Sequence, residues 1–180
     1  PKGTASVKGH LSGRISQLLS DPKTAANLGL MFTMKGGGFF GQNIDLLEID
    51  LDYADAIVTL DKGHIVSGKS ELYATGVLAP NGMKKGLLET RGWELQSSHL
   101  SQMIFPEKWG VHNGIVDVAI ELSSNEGRGH QTTAPIYSGK GQLRVTNATI
   151  QDQDIDRVSV QFTIDQNKGI IHHFDMRRRN

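Results

Sequence analysis

The chain has 180 residues, no cysteine, 21 glycines and 5 prolines, and its 19 basic residues cancel its 19 acidic ones. That length fits one domain or a piece of a longer one, no apolar run reaches the ~18 residues of a membrane span, and the lack of cysteine excludes a disulfide framework, a thiol nucleophile and a thiolate zinc site. Zero formal net charge argues against a nucleic-acid partner, whose affinity comes largely from phosphate neutralisation.

The chain opens on Pro1 without a charged-then-apolar leader, as expected of an excised stretch whose longer parent could carry an anchor. Thr4–Leu11 and Leu28–Met34 read as strands, and Ile15, Leu18, Leu19, Ala25 and Ala26 allow a helical turn or two between them. From Ile44 the period is two: Leu47, Ile49, Leu51 and Tyr53 alternate with Glu48, Asp50 and Asp52, which predicts a half-buried strand with an acidic wet face. Ala56–Asp61 and Ile65–Leu78 follow as strands about an Asp61-Lys62-Gly63 turn. In the second, Ser70, Leu72, Ala74, Gly76 and Leu78 share one face, and its glycine marks a bend or a close approach.

Leu87–Gln96 is a further strand, and Ser97–Phe105 reads as a short helix or a loop. Val116, Val118, Ile120 and Leu122 restore the alternation, as do Val158, Val160, Phe162 and Ile164, with Gln142–Ile150 between them and Ile170–Met176 at the end. Gly36-Gly37-Gly38, Pro80-Asn81-Gly82, Asn113-Gly114, Asn125-Glu126-Gly127 and Asn167-Lys168-Gly169 supply turns. The expected body is a single all-β domain over residues 1–180, with one or two short helices.

Gln42-Asn43-Ile44-Asp45-Leu46-Leu47 and Gln153-Asp154-Ile155-Asp156-Arg157-Val158 match at an offset of 111 residues, Asp45 to Asp156. Strands flank both copies, so repeat units of about 28–78 and 142–176 are expected, unless Ile-Asp recurs by chance. The runs Ile44–Leu47, Asp52–Leu60, Gly68–Leu78 and Gly141–Ile150, the last followed by Ile155-Asp156, resemble the repeats of the AsmA-like and TamB superfamily. Residues 79–112, with Trp93, Trp109 and Phe105-Pro106, have no counterpart in that pattern.

The resemblance implies a curved antiparallel sheet forming an open, U-shaped groove with an apolar interior. It implies a periplasmic segment of an inner-membrane-anchored envelope protein that carries phospholipid between the inner and outer membranes in outer-membrane biogenesis. Neighbouring segments of the same polypeptide and outer-membrane proteins are its implied partners; no catalytic residue, metal or cofactor is. The groove positions it assigns are Leu47, Ile49, Leu51 and Tyr53; Leu72, Ala74 and Leu78; Val116, Val118, Ile120 and Leu122; and Val158, Val160, Phe162 and Ile164. Such a track suits the cargo, because each methylene of an acyl chain costs ~0.8 kcal/mol to expose to water.

Three rival readings are set against it. Gly63-His64-Ile65-Val66-Ser67-Gly68-Lys69-Ser70 satisfies the phosphate-loop pattern, but the residues after it alternate like a strand where nucleotide binding needs a helix. About ten strands could instead close into a lipocalin-like barrel that carries, isomerises or cyclises one small ligand, which would pair the first strand with the last. Seven histidines offer metal ligands, yet His172 and His173, being adjacent on a strand, are expected to face opposite sides.

Overall fold

The computed structural model describes residues 3–13, 26–39, 42–80, 82–94, 111–125 and 136–179. Among them every regular element is a strand: β1 (Thr4–Gly13), β2 (Ala26–Phe39), β3 (Gln42–Ala54), β4 (Ile57–Ser67), β5 (Ser70–Ala79), β6 (Gly82–Glu94), β7 (Val111–His112), β8 (Ile115–Asn125), β9 (Ile136–Ile150), β10 (Gln153–Asp165) and β11 (Lys168–Arg178). No helix of the described residues is long and apolar enough to cross a membrane. The helices expected between Ile15 and Ala26 and over Ser97–Phe105 fall outside the described residues, except that Ala26 opens β2.

The strands form one antiparallel meander in the order β1-β2-β3-β4-β5-β6-β8-β9-β10-β11, with the short β7 paired to β9. β1 and β11 are the two ends of that order and do not pair, so the sheet is open and the closed-barrel alternative is overturned. Accessible surface totals 12358 Å², against about 8,600 Å² for a globular protein of this mass. A single layer explains the excess, because among the described residues no second sheet covers its face.

Several boundaries differ from the sequence expectation. Asp61-Lys62-Gly63 is no turn: Asp50 pairs with Lys62 and Leu51 with Leu60, so Asp61 is a β-bulge inside β4. The turn falls instead at Gly68-Lys69, where Gly68 takes φ 59°, conformational space that favours glycine. The phosphate-loop pattern therefore lies along a β-hairpin, with residues 63–67 in β4 and Ser70 opening β5. Gly36-Gly37-Gly38 stays within β2. Bulges of this kind bend and twist a strand, and they recur between β4 and β5, β5 and β6, β6 and β8, and β10 and β11.

The repeat is more extensive than the Ile-Asp match. Shifting β3 and β4 by 111 residues lands on the limits of β10 and β11. Ladder registers shift with them: Thr4↔Lys35 becomes Ile115↔Thr146, Leu28↔Tyr53 becomes Gly139↔Ile164, and Leu47↔Ile65 becomes Val158↔Met176. The left-handed residues match too, Gly36 (φ 61°) with Asn147 (φ 53°) and Asp55-Ala56 with Gln166-Asn167. β1-β2-β3-β4 and β8-β9-β10-β11 are thus equivalent units, and β5-β6 lies between them.

Candidate functional site: one apolar face across the sheet

Directly paired residues of antiparallel strands point to the same side, so the registers assign every strand a face. Leu47, Ile49, Leu51 and Tyr53 of β3 pair with Met34, Phe32, Leu30 and Leu28 of β2, and on the other side with Ile65, Gly63, Leu60 and Val58 of β4. Those lead to Leu72, Ala74, Gly76 and Leu78 of β5, then to Thr90, Leu88, Gly86 and Met83 of β6. Val116, Val118, Ile120 and Leu122 of β8 come next, paired with Trp93, Thr90, Leu88 and Gly86. Val145, Leu143, Gly141 and Gly139 of β9 carry the face to Val158, Val160, Phe162 and Ile164 of β10.

All fifteen residues named from the sequence therefore lie on one face, joined through strands that alternation alone did not connect. The face alternates large and small: a Cβ at Gly141 would meet the Phe162 ring, one at Gly86 would meet the Met83 sulfur, and one at Gly139 would meet first the Glu121 carbonyl oxygen and then Leu122. Glycines therefore let neighbouring large side chains lie across the strands, which accounts for part of the high glycine content.

Burial divides this face. At one end of the sheet Ile44 and Ile155 are each 1% exposed, as is Trp93, and Leu47, Val116, Val145, Ala148 and Val158 are buried with them. Two buried hydroxyls are built in and satisfied. Thr90 Oγ1 donates to the Val116 carbonyl (3.2 Å) and accepts from Val118 N–H (3.0 Å). Ser70 Oγ donates to the Gly92 carbonyl (3.0 Å) and accepts from Glu94 N–H (3.1 Å). The Trp93 indole nitrogen is buried, with no hydrogen-bond partner among the described residues.

Towards the opposite end and both edges the same face is open. Leu28 and Leu78 are exposed, Val7 on β1 is 64% exposed, and on β11 Ile171 (65%), Phe174 (60%) and Met176 stand in solvent.

Sequence reasoning missed the β6 contribution and the buried pair Ile44 and Ile155. The pair sits three residues before Leu47 and Val158, out of phase with simple alternation. An irregularity brings it onto the apolar face: opposite Asp156 stands Asn147, whose positive φ interrupts the pleat. Asp117 after Val116 is placed as Asp45 is after Ile44: Asp117 Oδ1 accepts from Gly92 N–H at 2.8 Å and Asp45 Oδ2 from Gly68 N–H at 2.7 Å, both glycines having φ 59°. The dipeptide alone was no sufficient signal, since Ile49-Asp50 and Ile164-Asp165 carry it too.

The other face is mainly polar, with Met31 and Ile170 as exposed apolar exceptions, and is tied by cross-strand ion pairs. Glu48 pairs with Lys62 and lies 3.5 Å from His64; Lys140 pairs with Glu121 at 3.1 Å, and Arg157 with Asp175 at 2.8 Å. The Lys62 hydrogen bond holds the Glu48 carboxyl below its ordinary range and lifts Lys62 above its own. Arg157 likewise lowers Asp175.

The expectation that His172 and His173 face opposite sides fails. His172 is bulged out of the β10–β11 ladder and its Nε2 lies 2.8 Å from Thr163 Oγ1, while His173 pairs with Gln161, so both are on the polar face. No cluster of three metal-ligating side chains exists among the described residues. Two adjoining depressions of about 330 and 600 Å³ also open on this face, sharing Glu89, Ala119, Gln142 and Gln161. Ala119 is the small residue among longer neighbours, which leaves the hollow.

No protein-family model matches the chain, and neither a curated protein nor a solved structure matches it.

Proposed function

We infer that this chain is a non-enzymatic, lipid-handling segment whose apolar face carries the acyl chains of a phospholipid while the headgroup stays in water. In this reading it belongs to a periplasmic, membrane-anchored envelope protein that moves lipid between the inner and outer membranes, in line with the AsmA-like and TamB resemblance. The observation that carries it is the largely apolar face that runs across the strands, packed at one end and exposed at Leu78, Phe174 and Ile171 elsewhere. Isolated apolar surface of this extent is uncommon on a self-sufficient soluble domain and marks a binding surface. An acyl chain laid along it gains ~0.8 kcal/mol for each methylene removed from water, so affinity accumulates along a track and needs no deep pocket.

Native mass spectrometry of protein purified without detergent tests this reading. Co-purifying phospholipid of mixed acyl length is the expected result; protein free of lipid after expression in a bacterial envelope contradicts it.

A second reading rests on the hollow around Ala119, where charged Glu89, Arg91, Asp117 and Arg144 join the Gln142 and Gln161 amides in a lining that suits a small charged, hydrophilic ligand. In that case Ala119→Gln abolishes binding of the ligand and leaves lipid content unchanged.

A further inference from the structure

The 111-residue correspondence breaks off at the outer edge of β11. β4 and β11 hold the same position in their units, with the same register to the preceding strand. On its other side β4 carries β5, from Val58↔Leu78 to Ser67↔Ser70, whereas β11 is the last strand of the sheet. We propose that the outer edge of β11 is a docking site for an antiparallel strand with the side-chain pattern of β5, supplied as the first arm of a hairpin resembling β5-β6.

Side-chain complementarity identifies this occupant. Transferring the β4–β5 register to β11 sets Leu72 of such a strand opposite Met176, Ala74 opposite Phe174 and Gly76 opposite Ile171. Those three are the exposed apolar residues that β11 adds to the apolar face, exposed Ile170 lying on the other, and small residues of the incoming strand face the largest of them. On the polar face Glu71 would stand opposite Arg177, where β4 has the neutral Val66. An opposite-charge pair directly across a ladder stabilises it by about 0.2–1 kcal/mol.

β11 is otherwise basic, with Lys168, Arg177 and Arg178 against Asp175, so two β11 edges repel each other. β1 does not suit β11 either. It is equivalent to β8, whose outer neighbour is β6, so the two free edges fit opposite arms of one hairpin and not one another.

The chain has no cysteine, which makes a register-specific disulfide the direct test. A synthetic peptide of Ser70–Glu94 carrying Leu72→Cys is mixed in a glutathione buffer with the full chain carrying either Met176→Cys or, out of register, Ile171→Cys. The Met176→Cys pair is expected to cross-link at least about 10-fold faster, with amide exchange slowed over residues 168–178, and Glu71→Lys in the peptide should weaken binding about 2–5-fold. Equal cross-linking rates, protection confined to β1 or β5, or no binding overturns the proposal. An isolated two-stranded hairpin is marginal in water, so a second form appends a copy of Gly68–Glu94 after Arg178. Slowed amide exchange in β11 supports the docking site, and unchanged exchange there contradicts it.

Discussion

Asp61 and His172, 111 residues apart, are the residues that β4 and β11 each loop out of register against the strand before them. A bulge is a specific local distortion, so its recurrence at equivalent positions, within ladders of identical register, makes the two four-strand units the same structure built from different side chains. Little side-chain identity is needed for this; what persists is the pleat, the bulge and the left-handed turn.

The equivalence can be measured at Gly36 and Asn147, which share left-handed φ angles of 61° and 53°. Replacing either with alanine should cost about 1 kcal/mol in denaturant unfolding, because alanine resists positive φ. A cost at one site and none at the other contradicts the equivalence.

Trp93 is the anchor of the buried end of the apolar face. Trp93→Ala is expected to destabilise by about 3–5 kcal/mol by removing transfer energy and leaving a cavity. Thr90→Val should cost about 1–3 kcal/mol, because it leaves the Val118 N–H without its acceptor, while Thr90→Ser keeps both bonds and most of the stability. Urea midpoints of the three variants check the order.

Stability should fall in acid through the polar face. Glu48 and Asp175 are both held below their ordinary carboxylate range by Lys62 and Arg157 respectively. A lowered folded-state value means that each contributes fully above its unfolded value and loses the contribution as pH falls through the folded one. Lys62, raised by the same pair, keeps its share below its unfolded value and loses it as pH rises through the folded one. Glu48→Gln and Asp175→Asn should therefore lower stability at neutral pH and flatten its decline as pH falls below the ordinary carboxylate values of 4.5 and 3.8, read as urea midpoints.

Phe174→Asp places a charge on exposed apolar surface, so it should spare folding, with a stability change within about 0.5 kcal/mol. Under the lipid reading it lowers the amount of co-purified phospholipid. Unchanged lipid content in that variant, with Gln161→Ala as the polar-face control, would count against the apolar track.

Much of this was legible in residue order because strand alternation has a period of two and each apolar run was long enough to show it. Leu47–Tyr53, Val116–Leu122 and Val158–Ile164 fall on one face in the structure as their alternation requires. What escaped was local geometry that alternation cannot express. The Asp61 bulge looked like a turn because Asp-Lys-Gly is turn chemistry, and the His172 bulge put two neighbouring histidines on the same side. β6 was hidden because Leu87 and Leu88 are adjacent and serve opposite faces, Leu87 against Glu121 and Leu88 against Ile120. Ile44 and Ile155 were passed over because Gly36 and Asn147, the residues that shift their phase, lie on the partner strand.

Side-resolved photo-crosslinking is the most direct test that the apolar face holds lipid. Leu51 and Asp50 are neighbours on β3 with opposite faces, Leu51 paired to Leu30 and Asp50 to Met31. A photo-reactive side chain at each position, activated in cells and analysed for bound lipid, is predicted to capture phospholipid at Leu51 and little or none at Asp50. Equal capture at both positions, or capture at Asp50 alone, contradicts the account.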